Sequence, residues 1–224
     1  MAVPAYFTVY HAGRLLGGSP DSDLFNILTV YLTRALTVYL IAAIGAVVFF
    51  RLVFLLSNDL AASIITTIGC ALGTLMLPYG MVFYGHVVGA VFCLTAFYLV
   101  FTLRHGCGKP RPWLRAGGAG LLLGLSVISE YPTIILAVLI GIYALPVLRR
   151  SAWAALLCGA LPLVGLMLYN QTCFGSPLAT GYDGYLNAPA GFFSKMRMGL
   201  YGLSMPSLGV LYSLTFSQIG RAHV

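Results

Sequence analysis

The chain has 224 residues, of which 60% are hydrophobic and 8% charged, and its mean hydropathy is +0.94. Soluble domains carry about 25% charged residues, so a water-solvated globular core is excluded and the long uncharged runs require lipid. The formal charge of +7 lies in short basic clusters between those runs, which marks membrane topology and argues against a nucleic-acid partner.

Residues Val3 to Leu16 are amphipathic but too short to cross a bilayer, and they include Pro4, His11 and Arg14. They read as an interfacial helix, ended by Gly17-Gly18-Ser19-Pro20-Asp21. The first full span is expected from Ala35 to Leu56, opened by Arg34 and interrupted near its end by Arg51. The second runs from Leu60 to Leu77 and stops at Pro78-Tyr79-Gly80, a tight turn. Met81 to Leu103 is the third.

The stretch from Trp113 to Leu148 must hold a pair of crossings divided at Ser129-Glu130-Tyr131-Pro132, at about 18 residues each, near the lower limit for a spanning helix. Trp153 to Tyr169 is the sixth. The expected fold is therefore all-α: a polytopic membrane helical bundle of about six transmembrane helices, with an N-terminal interfacial helix and an outer-face loop beginning at Gln171. Small residues four apart, at Gly69 and Gly73, Gly85 and Gly89, and Gly120 and Gly124, are placed for close helix packing.

Basic residues set the orientation. Arg51, then Arg104, Lys109, Arg111 and Arg115, then Arg149 and Arg150 occupy three connections that alternate with basic-poor ones. Residues 104–115 and 149–150 are thus expected to be cytoplasmic, with residues 171–218 on the outer face. Cys70, Cys93 and Cys158 fall in apolar spans and only Cys173 in the polar loop, which makes no disulfide framework.

Residues Ile219 to Val224 read as the translation of ATC GGA AGA GCA CAC GTC, a string resembling the start of a sequencing adapter. The expectation is a single transmembrane domain over residues 1–218, partial at both ends, followed by a non-native tail at 219–224. The opening Met-Ala-Val-Pro-Ala-Tyr has no charged region before an apolar one and is not a signal peptide.

Several polar residues stand where chemistry is possible. Tyr79, Tyr84 and His86 cluster at the lip between the second and third spans, where an imidazole binds a phosphate oxygen, shuttles a proton, or is simply hydrated. Glu130, followed by Tyr131, can accept a proton or sugar hydroxyls, or be an interface residue in water. Arg34 suits a lipid phosphate as well as snorkelling. The loop after Gln171 holds Tyr182, Asp183, Lys195 and Arg197, a set that can stack on a sugar and meet a phosphate, or form an interfacial belt. Asp21-Ser22-Asp23 is a D-x-D string, weak when alone. Zinc spacings, a Walker loop, a G-x-S-x-G elbow and a dinucleotide fingerprint are absent, so no cofactor is identified and a divalent metal has no support.

Four strings carry a resemblance: Thr33-Arg34 opening a span, Gly73-Thr74 to Gly85-His86, Gly120 to Pro132 ending Ser-Glu-Tyr-Pro, and Phe174-Gly-Ser-Pro-Leu-Ala-Thr-Gly-Tyr182. Together they resemble bacterial membrane glycosyltransferases of the GT-C superfamily, which includes the aminoarabinose and protein O-mannosyl transferases. The resemblance implies a bacterial inner-membrane protein and sugar transfer from a polyprenyl-phosphate donor to an acceptor on the outer, periplasmic face. It also implies an acidic base in the first outer loop, which would precede Met1, with Asp21 and Asp23 as weak candidates and the fragment alone inactive. Glu130 departs from the aminoarabinose-type relatives, which carry a lysine near it, so a sugar or acceptor contact suits it better than a donor phosphate. The competing readings are a transporter or flippase-like protein, expected to show inverted repeats and broken helices, and a non-catalytic membrane assembly subunit.

Overall fold

A computed structural model describes residues 2–106, 111–148 and 150–179. Two compact units divide the chain, residues 1–166 and 167–224. All regular structure among the described residues is helical, and four helices are long and apolar enough to cross a membrane: Asp23–Ser57, Gly85–Arg104, Tyr131–Leu148 and Ala152–Phe174. The chain is an all-α membrane protein.

In the first unit, α1 (Val3–Leu15) is followed by α2 (Asp23–Arg34), a π-helical turn (Ala35–Tyr39) and α3 (Leu40–Ser57). Gly17, at φ +90°, allows the reversal between α1 and α2. Phe25 fills the hairpin, buried against Tyr10 and against Gly13 and Gly18, where a Cβ would strike its ring. From Asp23 onward the helix is unbroken for 35 residues, so Arg34 stands within the helix rather than at its start. The reason is local: no proline falls between Asp23 and Ser57. Polar Thr33 and Thr37 return their hydroxyls to the carbonyls of Thr29 and Thr33, each at 2.7 Å, which keeps them satisfied in an apolar helix.

Asn58 adopts the left-handed conformation (φ 52°) and ends α3. Asp59 then caps α4 (Leu60–Gly73) by accepting from the Ala62 N–H. The expected second span reaches only 14 residues, too few to cross a hydrocarbon layer of about 30 Å at 1.5 Å per residue.

Its end is set by Thr74, whose backbone is extended and whose hydroxyl donates to Cys70 O (2.6 Å) and accepts from Met76 N–H (3.2 Å). Pro78-Tyr79-Gly80, expected as a turn, instead lies inside the short helix α5 (Met76–Met81). Pro78 is tolerated because it stands in the first turn, where its missing N–H has no intrahelical partner to lose.

Helices α6 (Gly85–Arg104), α7 (Pro112–Ser129) and α8 (Ile134–Leu148) form the packed centre, with a 3₁₀ turn at Tyr131–Thr133 between α7 and α8. The expected division at Ser129 to Pro132 is where α7 ends. Helix α7 has 18 residues but carries Arg115 and four glycines, and its buried face is made of alanine, glycine and serine. It is a packing helix, not one of the four strongly apolar ones. Helix α9 runs Ala152–Phe174, beyond the expected end at Tyr169, and passes from the first unit into the second.

The core is built from small side chains: Ala96, Val100, Ala116, Ala119, Ala144, Leu148 and Ala154. Within a bilayer, apolar side chains gain little by leaving lipid, so helices associate through close packing at small residues. At Gly120 a Cβ would overlap the Ala155 carbonyl of α9, and at Gly124 the Gly159 carbonyl. At Gly45 it would overlap Val91, which brings α3 against α6. The large side chains Leu, Ile, Phe and Val are widely exposed instead, as lipid-facing surface requires.

In the second unit, Asn170 Nδ2 donates to Pro177 O (3.4 Å) and Gln171 Nε2 to Gly175 O (3.3 Å), folding the chain back over the end of α9.

Candidate functional site

The polar residues of the first unit gather where α6 begins. Tyr84 is extended and precedes Gly85, the first residue of α6, so His86 stands on that helix's first turn. Across from it Glu130 leaves α7 in an extended conformation (φ −149°, ψ 105°). Its N–H donates to Ser126 O (2.9 Å), and its carbonyl accepts from the Thr133 N–H (3.0 Å) and the Thr133 hydroxyl (2.8 Å). The backbone of Glu130 is therefore fixed on both sides, and its carboxylate Oε1 lies 2.9 Å from His86 Nδ1.

This approach depends on a missing side chain. A Cβ on Gly85 would lie 2.8 Å from both Glu130 Oε1 and Ser129 O, and one on Gly89 would lie 3.5 Å from Glu130 Cβ and Cγ. Gly85 forms the notch that receives Glu130, while at Gly89, one turn on, a Cβ would make only ordinary contact. One turn deeper, Ser126 Oγ donates to Gly89 O (3.0 Å) and lies 3.0 Å from Cys93 Sγ. A polar ladder thus joins α6 and α7 and ends at the His86–Glu130 pair.

The pair defines what the imidazole can do. Its bond to the carboxylate places a proton on Nδ1, leaving Nε2 as the atom that meets a ligand. The carboxylate also benefits from the positive N-terminal end of α6. Tyr79 meets the imidazole edge-on with centroids 5.2 Å apart, and Tyr84 stacks on it at 5.7 Å. The imidazole remains half exposed. Below it, a cavity of about 410 Å³ is lined by Cys70, Leu75, Met76, Tyr79, His86 and Val91, with further apolar residues of α6. Its walls come from α4, α5 and α6, so one apolar recess runs up to one oriented imidazole.

Arg34 reaches the same segment from another helix. Its Nη2 donates to the Met81 carbonyl at the end of α5, its guanidinium lies 5.8 Å from the Tyr39 ring, and its Nε is buried without a hydrogen-bond partner. Arg34, Tyr79, Tyr84, His86 and Glu130 are therefore linked through residues 79–86. Tyr131 directly follows Glu130 and is exposed.

Asp21 and Asp23 are exposed at the start of α2. The helical rise from Asp23 to Arg34 is about 17 Å, and neither aspartate lines the cavity. Tyr182, Asp183, Lys195 and Arg197 lie outside the described residues. No group of three metal-ligating side chains occurs among the described residues.

Sequence reasoning treated His86 and Glu130 separately and missed their pairing. The signal was present: Gly85 and Gly89 at helical spacing on one segment, Ser126 and Glu130 at the same spacing on another. No family model, curated protein or solved structure matches the chain.

Proposed function

We propose that the chain is part of a GT-C-like membrane glycosyltransferase that moves a sugar from a polyprenyl-phosphate donor to an acceptor at the membrane face where α6 begins. The observation that supports this reading is the His86–Glu130 contact at 2.9 Å. It joins two strings on which the resemblance rests, Gly85-His86 and Ser129-Glu130, while Arg34 of a third bonds to Met81 in the same segment.

In the proposed reaction the acceptor hydroxyl oxygen forms a bond to the anomeric carbon, the bond from that carbon to the donor phosphate oxygen breaks, and the phosphate leaves with the electron pair. His86 Nε2 takes the hydroxyl proton, with Glu130 holding the ring and balancing its charge. Arg34 faces the departing phosphate as a cation, and the recess between α4, α5 and α6 takes the first units of the polyprenyl chain.

The test is binding of undecaprenyl phosphate to the purified chain in nanodiscs, with undecaprenol as control. The phosphate form is expected to bind more tightly, and Arg34→Gln to weaken it by about tenfold, as loss of a charge-assisted contact implies. Equal binding of phosphate and alcohol would overturn the reading.

A flippase-like protein is the second reading, favoured by one observation: the break at Thr74 between α4 and α5, since discontinuous helices line transporter sites. Fluorescent-lipid scrambling by proteoliposomes, unaffected by His86→Ala, would favour it.

A further inference from the structure

The opposite end of the α6, α7 and α8 group is basic, and its guanidinium groups are held by the fold. Arg104, on the last turn of α6, donates to the Tyr143 carbonyl of α8 (3.2 Å) and lies over the Tyr143 ring at 4.5 Å. Arg115, on the first turn of α7, donates through Nη1 to Thr102 Oγ1 (3.4 Å), one turn from the end of α6. Arg111 precedes α7 and Arg150 follows α8, both exposed. The chain's two tryptophans, Trp113 and Trp153, begin α7 and α9 at this end, 54% and 59% exposed.

Asp59, the described carboxylate on this side, accepts from the Ala62 N–H to start α4. Asp21, Asp23 and Glu130 belong to the other end by the order of the helices. Among the described residues at this end arginines outnumber carboxylates, at the level where indole rings prefer the lipid headgroup region.

We propose that Arg104, Arg111, Arg115 and Arg150 form a docking surface for anionic phospholipid headgroups. Planar guanidinium groups bind phosphate oxygens in pairs, and anchoring by Tyr143 and Thr102 removes part of the side-chain entropy that such binding otherwise costs. Membrane orientation alone needs only the charges; the anchoring contacts point to a surface that retains its lipid.

The test uses the full chain in nanodiscs of equal phosphatidylglycerol and phosphatidylcholine, released and weighed by native mass spectrometry. Phosphatidylglycerol should be retained over phosphatidylcholine by at least about fivefold, and Arg104→Gln with Arg115→Gln should remove most of that preference. Arg14→Gln, on α1, should leave it unchanged. Equal retention of the two lipids overturns the proposal, as does an Arg104→Gln/Arg115→Gln chain that keeps the full preference. If that variant loses helix by circular dichroism, Arg111→Gln with Arg150→Gln decides, since both are exposed at helix ends: a reduced preference supports the surface and an unchanged one overturns it. Displacement of the retained lipid by soluble glycerol phosphate also overturns it, because the surface would then bind a free phosphate.

Discussion

His86 Nδ1 and Glu130 Oε1 lie 2.9 Å apart, and that contact ties the first turn of α6 to the end of α7 at the rim of an apolar recess. The imidazole is half exposed, so the pair contributes little to stability and its consequence is orientation. A double-mutant cycle with His86→Ala and Glu130→Ala should give a coupling energy below about 1 kcal/mol in chemical unfolding. A coupling of several kcal/mol would make the pair a structural bridge instead.

Two glycine substitutions should move stability in opposite directions. Gly85→Ala puts a methyl group 2.8 Å from the Ser129 carbonyl and from Glu130 Oε1, and should destabilise by about 1 to 3 kcal/mol, as overpacking does. A methyl group added at Gly69, on α4, would meet nothing within 4 Å. Gly69→Ala should stabilise the helix by roughly 0.5 to 1 kcal/mol, the ordinary gain of alanine over glycine. Unfolding midpoints of the two variants measured side by side check the contrast.

Helices α7 and α9 approach closely enough to be linked. A Cβ at Gly117 would lie 3.1 Å from Cys158 Sγ, a separation suited to a disulfide. Gly117→Cys should oxidise to an intrachain crosslink with Cys158 under mild copper phenanthroline, seen as a mobility shift reversed by reductant. Failure to crosslink in a folded variant would place α9 elsewhere.

Orientation is open to direct measurement. With the basic connections inside, an impermeant thiol reagent applied to intact cells should modify Cys173 and leave Cys107 unlabelled. The reverse pattern would invert the topology and put the His86–Glu130 site on the inner face.

Composition and the length of the apolar runs determined that this is an all-α membrane protein. The Ser-Glu-Tyr-Pro string also located the end of α7, because helix formation is a matter of local hydrogen bonding and proline geometry. The same local reasoning failed at Pro78, where a proline in a helix's first turn costs nothing. Which side chains meet was decided only by tertiary structure. Glu130 reaches His86 because Gly85 opens a notch and because Ser126 bonds to Gly89 O one turn deeper. In a bilayer such lateral fit between small residues selects the helix partners, and periodicity within one helix carries no record of the notch on its neighbour.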